Sequence, residues 1–273
     1  MSVVSWRNRR ARAGTDHPAV QRPRRSRLPL VGLGAMAVGV AGLLVLLPSV
    51  SSACQPTVSP RSESAVRTAS AIATGSDVLV IGDSYSTGVG SSSGRHGWAQ
   101  DLVADRHWNA TIDAYPGTGY VDTGRPSTSY YSYEARIERM ARRMTPDLVI
   151  VQGSQNDWLV DAATLQATVE RTLRKVQQQW PNATVIALGP SAPYPRSTAN
   201  SGISASVAAG AEAVDVPYID ALSDGWFTPS NSRRYVSDDG GHLDDAGYQY
   251  LADRVSAALD DLASAPSGDE HCA

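Results

Sequence analysis

Two short segments of the chain carry the side chains that nucleophilic catalysis requires. Ser84 follows a Gly-Asp pair at the end of a predicted strand, where a serine hydroxyl stands above the sheet edge at a helix N-terminus. Asp239 and His242 are separated by two glycines, so the carboxylate can fold back to hold one imidazole nitrogen. The other nitrogen can then remove a serine proton, as formation of an acyl-enzyme requires. Considered alone, Ser84 is more simply explained as a helix cap.

Two further segments carry groups that can bind the oxygen anion formed in such a reaction. Gly117 lies in a Pro-Gly-Thr-Gly turn, where the missing side chain lets a backbone N–H approach a substrate oxygen. Asn156 lies in a Gly-Ser-Gln-Asn-Asp segment, and its amide can donate a hydrogen bond to an oxyanion. Either segment alone is equally typical of an ordinary turn.

An alternation of strands and helices must bring these segments together. Apolar runs predict strands at 77–81, 110–115, 147–151, 184–188 and 216–219. Apolar residues with helical spacing predict helices over 137–144, 165–180 and 251–262. This alternation predicts a parallel sheet covered on both faces, with the ligand beyond the carboxyl ends of the strands. The four segments all follow predicted strands, so we expect them to meet at that edge.

Taken together, the Gly-Asp-Ser segment, the glycine turn, the Asn-Asp pair and the Asp-x-x-His segment resemble the SGNH (GDSL-type) hydrolase family. The resemblance extends over roughly residues 77 to 262. It implies a three-layer α/β/α sandwich with a mostly parallel, five-stranded, flavodoxin-like sheet. It also implies an enzyme that hydrolyses carboxylic esters without a metal or an organic cofactor.

The resemblance assigns a role to each candidate residue. Ser84 matches the nucleophile, and Asp239 and His242 match the other members of the catalytic triad. The backbone N–H of Ser84, Gly117 and the Asn156 amide match the donors of the oxyanion hole.

One position departs from the family pattern. The family usually has a glycine two residues before the asparagine, where this chain has Ser154. This difference concerns the local backbone more than the role of the asparagine. The loop at 191–202 is long and polar, and we expect it to shape the pocket.

Several aromatic residues lie close in sequence to the catalytic loops. They are Trp98, Tyr85, Tyr115, Tyr120 and Trp158. Aromatic rings with polar tips suit sugar or glycolipid surfaces, and packing beneath loops explains them equally well. We predict that Tyr85, Tyr120 and Trp158 contact the substrate.

The substrate is less strongly indicated than the reaction. We favour a short-acyl ester of an envelope or extracellular carbohydrate, with a lipid or an arylester as the alternative. The same triad would also serve an O-acyltransferase that moves acyl groups between envelope glycans. A binding module without activity is disfavoured because all the reactive side chains are present.

The start of the chain differs in charge and hydropathy from the rest. Residues 1–47 contain eight arginines and one acidic residue, whereas the remainder has 16 basic and 26 acidic residues. An acidic main body argues against nucleic acid as a partner. Residues 28–47 carry no charge and are long enough to cross a bilayer as a helix, and the preceding arginines predict export of the main body of the chain. A buried core helix is the less favoured explanation.

These features divide the chain into five segments. We predict a basic cytoplasmic segment at 1–27, a transmembrane or signal helix at 28–47, a flexible linker at 48–76, the hydrolase domain at 77–264 and a tail at 265–273. Small residues before Cys54 would allow cleavage after Ala53, which would release the protein from the membrane. An uncleaved helix would anchor it there.

Cys54 and Cys272 are the two cysteines of the chain. Neither has another cysteine or a histidine at metal-ligand spacing, so we predict no zinc site. Because the exported compartment is oxidising, we predict a disulfide between them. Lipidation of Cys54 is the alternative.

Overall fold

The computed structural model describes residues 61–124 and 128–267. The predicted segments 1–27 and 28–47 and both cysteines lie outside the described residues. Among the residues that are described, no helix combines the length and the apolar character needed to span a bilayer.

Five parallel strands form one sheet at the centre of the described fold. They are β1 (Asp77–Gly82), β2 (Asn109–Ala114), β3 (Leu148–Gln152), β4 (Thr184–Leu188) and β5 (Tyr218–Ile219), in the spatial order β2-β1-β3-β4-β5. All pairs are parallel, and Ile81 of β1 is level with Asp113 of β2 and Val151 of β3. The predicted α/β fold and its parallel sheet are confirmed.

Eight helices of the described chain surround the sheet. They are α1 (Glu63–Ala71), α2 (Ser84–Thr87), α3 (Trp98–Arg106), α4 (Tyr133–Ala141), α5 (Ala162–Gln179), α6 (Arg196–Ala199), α7 (Ser201–Glu212) and α8 (Asp245–Ser264). Because side chains alternate across a strand, Val80 and Leu79 enter different apolar layers. The layer around Val80 includes α1, α3 and α8, and the layer around Leu79 includes α4, α5 and α7.

The predicted flexible linker over 48–76 is wrong in its second half, because α1 lies within it. The Ser62 side chain caps this helix by accepting a hydrogen bond of 3.1 Å from the Ala65 N–H. Ala65 and Ala71 are buried, Ala71 lies in the apolar layer around Val80, and α1 packs with α8. The small size of these apolar residues hid the helical pattern within a serine-rich composition. The fold therefore begins before β1.

The first and last described residues lie side by side. Arg61 and Pro266 form an antiparallel bridge, and the Ser62 N–H donates a hydrogen bond of 3.0 Å to the Ala265 carbonyl. The predicted tail thus begins with residues that pair with the start of α1.

Candidate active site

Ser84 lies where β1 turns into α2. Asp83 caps the helix, since its carboxylate accepts a hydrogen bond of 2.9 Å from the Tyr85 N–H. The last residue of β1 must be small, because a Cβ on Gly82 would lie 2.2 Å from the Ser86 Oγ. Ser84 is therefore the first residue of its helix, and it lines a pocket at the carboxyl edge of the sheet.

The structure brings Ser84, His242 and Asp239 into one hydrogen-bonded series. The Nε2 atom of His242 lies 2.9 Å from the Oγ of Ser84, and its Nδ1 atom lies 2.6 Å from a carboxylate oxygen of Asp239. Gly240 has a φ of 70°, in the left-handed region that favours glycine, and this reverses the chain between the two residues. The Asp239 carboxylate and the His242 imidazole therefore form the contact that their three-residue spacing predicts.

Asp239 is held as an ionised acceptor. Its Oδ1 atom accepts hydrogen bonds from the Gly241 N–H at 2.7 Å, the His242 N–H at 2.8 Å and the Ser237 hydroxyl at 2.8 Å. Partial burial opposes ionisation, but the hydrogen bonds from Gly241, His242 and Ser237 outweigh it and hold the pKa of this carboxyl well below its usual range. The second oxygen is left to orient the imidazole.

Gly117 and Asn156 line the same pocket as Ser84 and His242, and the pocket has a volume of about 200 Å³. Gly117 has a φ of 78°, which explains why glycine is suited to this turn. The Nδ2 atom of Asn156 donates a hydrogen bond of 2.8 Å to the Thr118 carbonyl. The predicted nucleophile, base and oxyanion donors thus surround one space.

Asp157 connects the two loops that carry the predicted oxyanion donors Gly117 and Asn156. Its buried carboxylate accepts hydrogen bonds from the three successive N–H groups of residues 120–122, at 2.9, 3.1 and 2.7 Å. Ser154, which replaces the usual glycine, donates its hydroxyl to the same carboxylate. The Ser154 hydroxyl also leaves no room for a side chain at residue 119, because a Cβ on Gly119 would lie 2.3 Å from the Ser154 Oγ. Ser154, which stands where the family usually has glycine, therefore takes part in the hydrogen bonds that hold this loop in place.

Arg136 stabilises the loops of the site through hydrogen bonds to the ends of β1 and β2, a role that the sequence does not predict. Its fully buried guanidinium donates hydrogen bonds to the Gly82 carbonyl at 3.1 Å, to the Thr118 hydroxyl at 3.2 Å and to the Asp113 carbonyl. Its Nε atom lies 3.4 Å from the carboxylate of Asp113. Because these groups end β1 and β2 and begin the glycine turn, Arg136 fixes the position of the loop that carries Gly117.

The three aromatic residues predicted to contact substrate lie in different surroundings. Tyr85 lines the pocket, and its hydroxyl donates a hydrogen bond of 2.5 Å to the Gly241 carbonyl. The prediction for Tyr120 is wrong, because its ring is buried against Tyr133 in the apolar layer around α5 and does not line the pocket. Trp158 is 69% exposed outside the pocket lining, and its contact with substrate stays a prediction.

Two further pocket residues escaped the sequence analysis. Gln155 and Arg196 both line the pocket. Arg196 comes from the loop at 191–202, whose length and polarity are the signal that pointed to this region. Elsewhere in residues 61–124 and 128–267, histidine, cysteine and carboxylate side chains form no group of three that could hold a metal ion.

Comparison with known proteins agrees with this arrangement. The sequence model of the GDSL-like lipase/acylhydrolase family matches residues 80–250. The relative "GDSL lipase Rv0518" of Mycobacterium tuberculosis (strain ATCC 25618 / H37Rv) is 28% identical over 194 residues, which cover 67% of this chain and 80% of that protein.

Two solved structures share the fold. A carbohydrate esterase family 2 enzyme with a carbohydrate-binding domain, from Corynascus thermopiles (Myceliophthora fergusii), aligns with a TM-score of 0.55 at 15% identity, over 70% of this chain and 67% of that one. A carbohydrate acetylesterase family member from Sinorhizobium meliloti aligns with a TM-score of 0.50 at 16% identity, over 68% of this chain and 99% of that one.

Proposed function

Because this chain belongs to the GDSL-like lipase/acylhydrolase family and hydrolyses ester bonds, we propose that it is a serine esterase in which Ser84, His242 and Asp239 form the catalytic triad. The observation that carries this proposal is the hydrogen-bonded series from the carboxylate through the imidazole to the serine hydroxyl. The imidazole lies between an acceptor and a nucleophile, as general-base catalysis by histidine requires.

In the first half of the reaction, the Ser84 oxygen attacks the ester carbonyl carbon while His242 Nε2 takes the serine proton. The carbonyl electron pair moves onto the oxygen, and the Asp239 carboxylate stabilises the imidazolium. When the tetrahedral intermediate collapses, the alcohol leaves with the proton from His242 and the acyl group stays on Ser84. Water then repeats the attack, and the serine leaves with the proton from His242 as the acid is released.

The oxyanion of each intermediate would be bound by the backbone N–H groups of Ser84 and Gly117 and by the Asn156 amide. One hydrogen of that amide is committed to the Thr118 carbonyl at 2.8 Å. The other approaches Asp83 at 3.3 Å, which is a longer and weaker contact. The hydrogen that faces Asp83 is therefore the less strongly held of the two, and it is the one that would donate to the substrate oxygen.

A short acyl group fits the pocket better than a long one. The space beside Ser84 is about 200 Å³, below the range of roughly 300–1,000 Å³ that is usual for ligand pockets. We infer that the acyl group is small and that the alcohol, which we propose to be a carbohydrate, extends into solvent. Of the two structures with the same fold, one is named a carbohydrate esterase and the other a carbohydrate acetylesterase, which supports this proposal.

We also propose that the enzyme acts outside the cytoplasm. Residues 28–47 are uncharged and follow eight arginines, which supports export with the chain either anchored in the membrane or cleaved near Ala53. Its partners would be the ester substrate and, through 28–47, the membrane, but not nucleic acid. Protease added to intact cells should digest the protein if this is correct, and a protected protein would refute it.

A panel of p-nitrophenyl esters tests the esterase proposal. We expect the purified full-length chain in detergent to hydrolyse acetate faster than octanoate or palmitate, and Ser84→Ala to hydrolyse none. Faster hydrolysis of palmitate would favour a lipase. Acyl transfer to an added sugar that exceeds release of the free acid would favour an O-acyltransferase.

A further inference from the structure

Arg196 places a positive charge in the wall of the pocket that contains Ser84 and His242. It is the first residue of the short helix α6, in the polar loop that follows β4. No other residue of the pocket wall is an arginine, a lysine or a carboxylate. The guanidinium is thus the cation that a bound substrate would meet.

The guanidinium lies beside the catalytic histidine because residue 241 has no side chain. A Cβ on Gly241 would lie 2.3 Å from the Nη1 atom of Arg196. The φ of Gly241 is not in the left-handed region, in contrast to that of Gly240, so the backbone itself does not require glycine there. The Arg196 guanidinium occupies the space that a side chain at residue 241 would fill.

Arg196 has few partners within the protein. Its hydrogen bond from Nη1 to the Gly241 carbonyl is 3.4 Å long, and that carbonyl already accepts a hydrogen bond of 2.5 Å from Tyr85. No carboxylate of the described chain lies within 4.0 Å of it, whereas Arg106 and Arg171 both have such partners. Since a guanidinium has five N–H donors, most of them are free for a ligand.

Gln155 adds a second polar group with no partner to the same pocket wall. The residue is 4% exposed, and neither its amide nitrogen nor its amide oxygen has a hydrogen-bond partner among the described residues. A buried amide without partners is unfavourable, and it adds polarity next to the pocket although neither amide atom is open to solvent. The unpaired guanidinium of Arg196 therefore carries the argument for a charged ligand rather than an apolar one.

We propose that Arg196 forms an anion-binding subsite, and that the natural substrate is an ester whose alcohol part carries a carboxylate or a phosphate. This inference rests on the proposed esterase function. Guanidinium groups bind both anions through paired hydrogen bonds. The charge belongs to the alcohol because His242 must protonate the leaving oxygen, and Arg196 lies against the residue that precedes His242.

Two acetyl esters with the same ring and different charge test the proposal. We expect Arg196→Gln to lower kcat/KM for 4-acetoxybenzoate by about tenfold or more, mainly through KM, because a charged hydrogen-bond pair is lost. Hydrolysis of its uncharged methyl ester should change by less than about twofold, as expected for an exposed charge that the ester does not contact. Arg196→Lys should recover part of the preference for the anion.

Arg143→Gln is the matched control, because Arg143 is exposed and lies outside the pocket wall. It removes one positive charge and should leave the preference between the two esters unchanged. Equal effects of Arg196→Gln on both esters would overturn the anion subsite while leaving the esterase function intact. If the wild type hydrolyses neither ester, the esterase proposal fails on these substrates, and binding then decides the inference.

The binding experiment uses the full-length Ser84→Ala variant and calorimetry. Galacturonate and glycerol 3-phosphate distinguish the two sources of the anion, and galactose and glycerol are their uncharged counterparts. Binding of either anion that disappears in Ser84→Ala/Arg196→Gln supports the subsite and identifies its anion. Binding of neither, or binding that is unaffected by the second substitution, overturns it.

Discussion

The amide of Asn156 donates a hydrogen bond of 3.3 Å to the carboxylate of Asp83, the residue directly before Ser84. This contact joins the loop after β3 to the residue that follows β1. Asp83 is fully buried, and burial raises its pKa to about 7, although the hydrogen bond from the Tyr85 N–H opposes the rise. The position of the proposed oxyanion donor Asn156 is thus connected to a carboxyl whose pKa is near 7.

Asp83→Asn should change how stability depends on pH. The pKa of Asp83 is about 7 in the folded protein, against an ordinary value of 3.8. Between these two values the folded state binds one more proton than the unfolded state, so the free energy of unfolding of the wild type decreases as the pH rises. The free energy of unfolding of the wild type relative to Asp83→Asn should fall by up to about 1.4 kcal/mol per pH unit in that window. Urea unfolding at pH 5, 6 and 7 measures it, and parallel curves would contradict the raised pKa.

Asn156→Ala should reduce kcat far more than it raises KM. The amide would bind the oxygen more strongly in the transition state than in the bound ester, and loss of one such donor lowers kcat by about a hundred- to a thousandfold. Steady-state kinetics on p-nitrophenyl acetate measure both constants. A folded variant with an unchanged kcat would exclude Asn156 from the oxyanion hole.

A serine-reactive phosphonate should attach once to the wild type and not at all to Ser84→Ala. The expected label follows from the 2.9 Å contact between the Ser84 hydroxyl and the imidazole, which allows the proton to be removed. Ser86→Ala is a matched control, because the Ser86 hydroxyl donates to the side chain of Gln152 and has no contact with the imidazole. Intact mass and peptide mapping locate the label, and a label on another serine would refute the assignment.

Arg136→Met should destabilise the fold by about 3–5 kcal/mol, because it leaves a buried carboxylate without its cation. Both side chains of the pair with Asp113 are buried, with 0% and 6% of their surface exposed. Arg171→Met is the control, since its ion pair with Glu134 is on the surface and should contribute less than about 1 kcal/mol. Denaturant unfolding compares the two, and equal losses would show that Arg136 has no special structural role.

Cys54 and Cys272 should form a disulfide in protein taken from its native envelope. Arg61 and Pro266 pair with each other, and the two cysteines lie seven residues before and six residues after that bridge, so the connecting segments are long enough to allow the bond that we predict. Non-reducing mass spectrometry should detect a peptide that links them. A diacylglyceryl group on Cys54, or a freely alkylated Cys272, would contradict the bridge.

The parts of the fold that depend on local patterns could be predicted from the sequence. The strands β3 and β4 are continuous apolar runs, and their predicted bounds agree with the structure to within one residue. The helices α1 and α7 were not predicted, because their buried residues are mostly alanine, serine and threonine, which also predominate in linkers. For β5, the predicted strand at 216–219 is shortened to two paired residues.

The contacts of the candidate site also fall into two groups, those between residues close in sequence and those between residues far apart in sequence. Asp239 and His242 are three residues apart, so their contact follows from one turn. Arg196 approaches the Gly241 carbonyl from 45 residues away, and Arg136 reaches Gly82 from 54 residues away. No local pattern encodes such contacts. A single arginine beside the apolar face of α4 is indistinguishable from a solvated one until the sheet edge is known.

The position of the bridge between Arg61 and Pro266 determines where this enzyme can be attached to a support without covering its pocket. The helix α8 starts three residues after His242 and continues for 20 residues, a length of about 30 Å, so its end and the bridge lie at the opposite edge of the sheet from the pocket. A resin, an affinity handle or a fused domain joined near either point would hold the molecule from behind. The mouth of the pocket would then remain open to a polymer too large to diffuse.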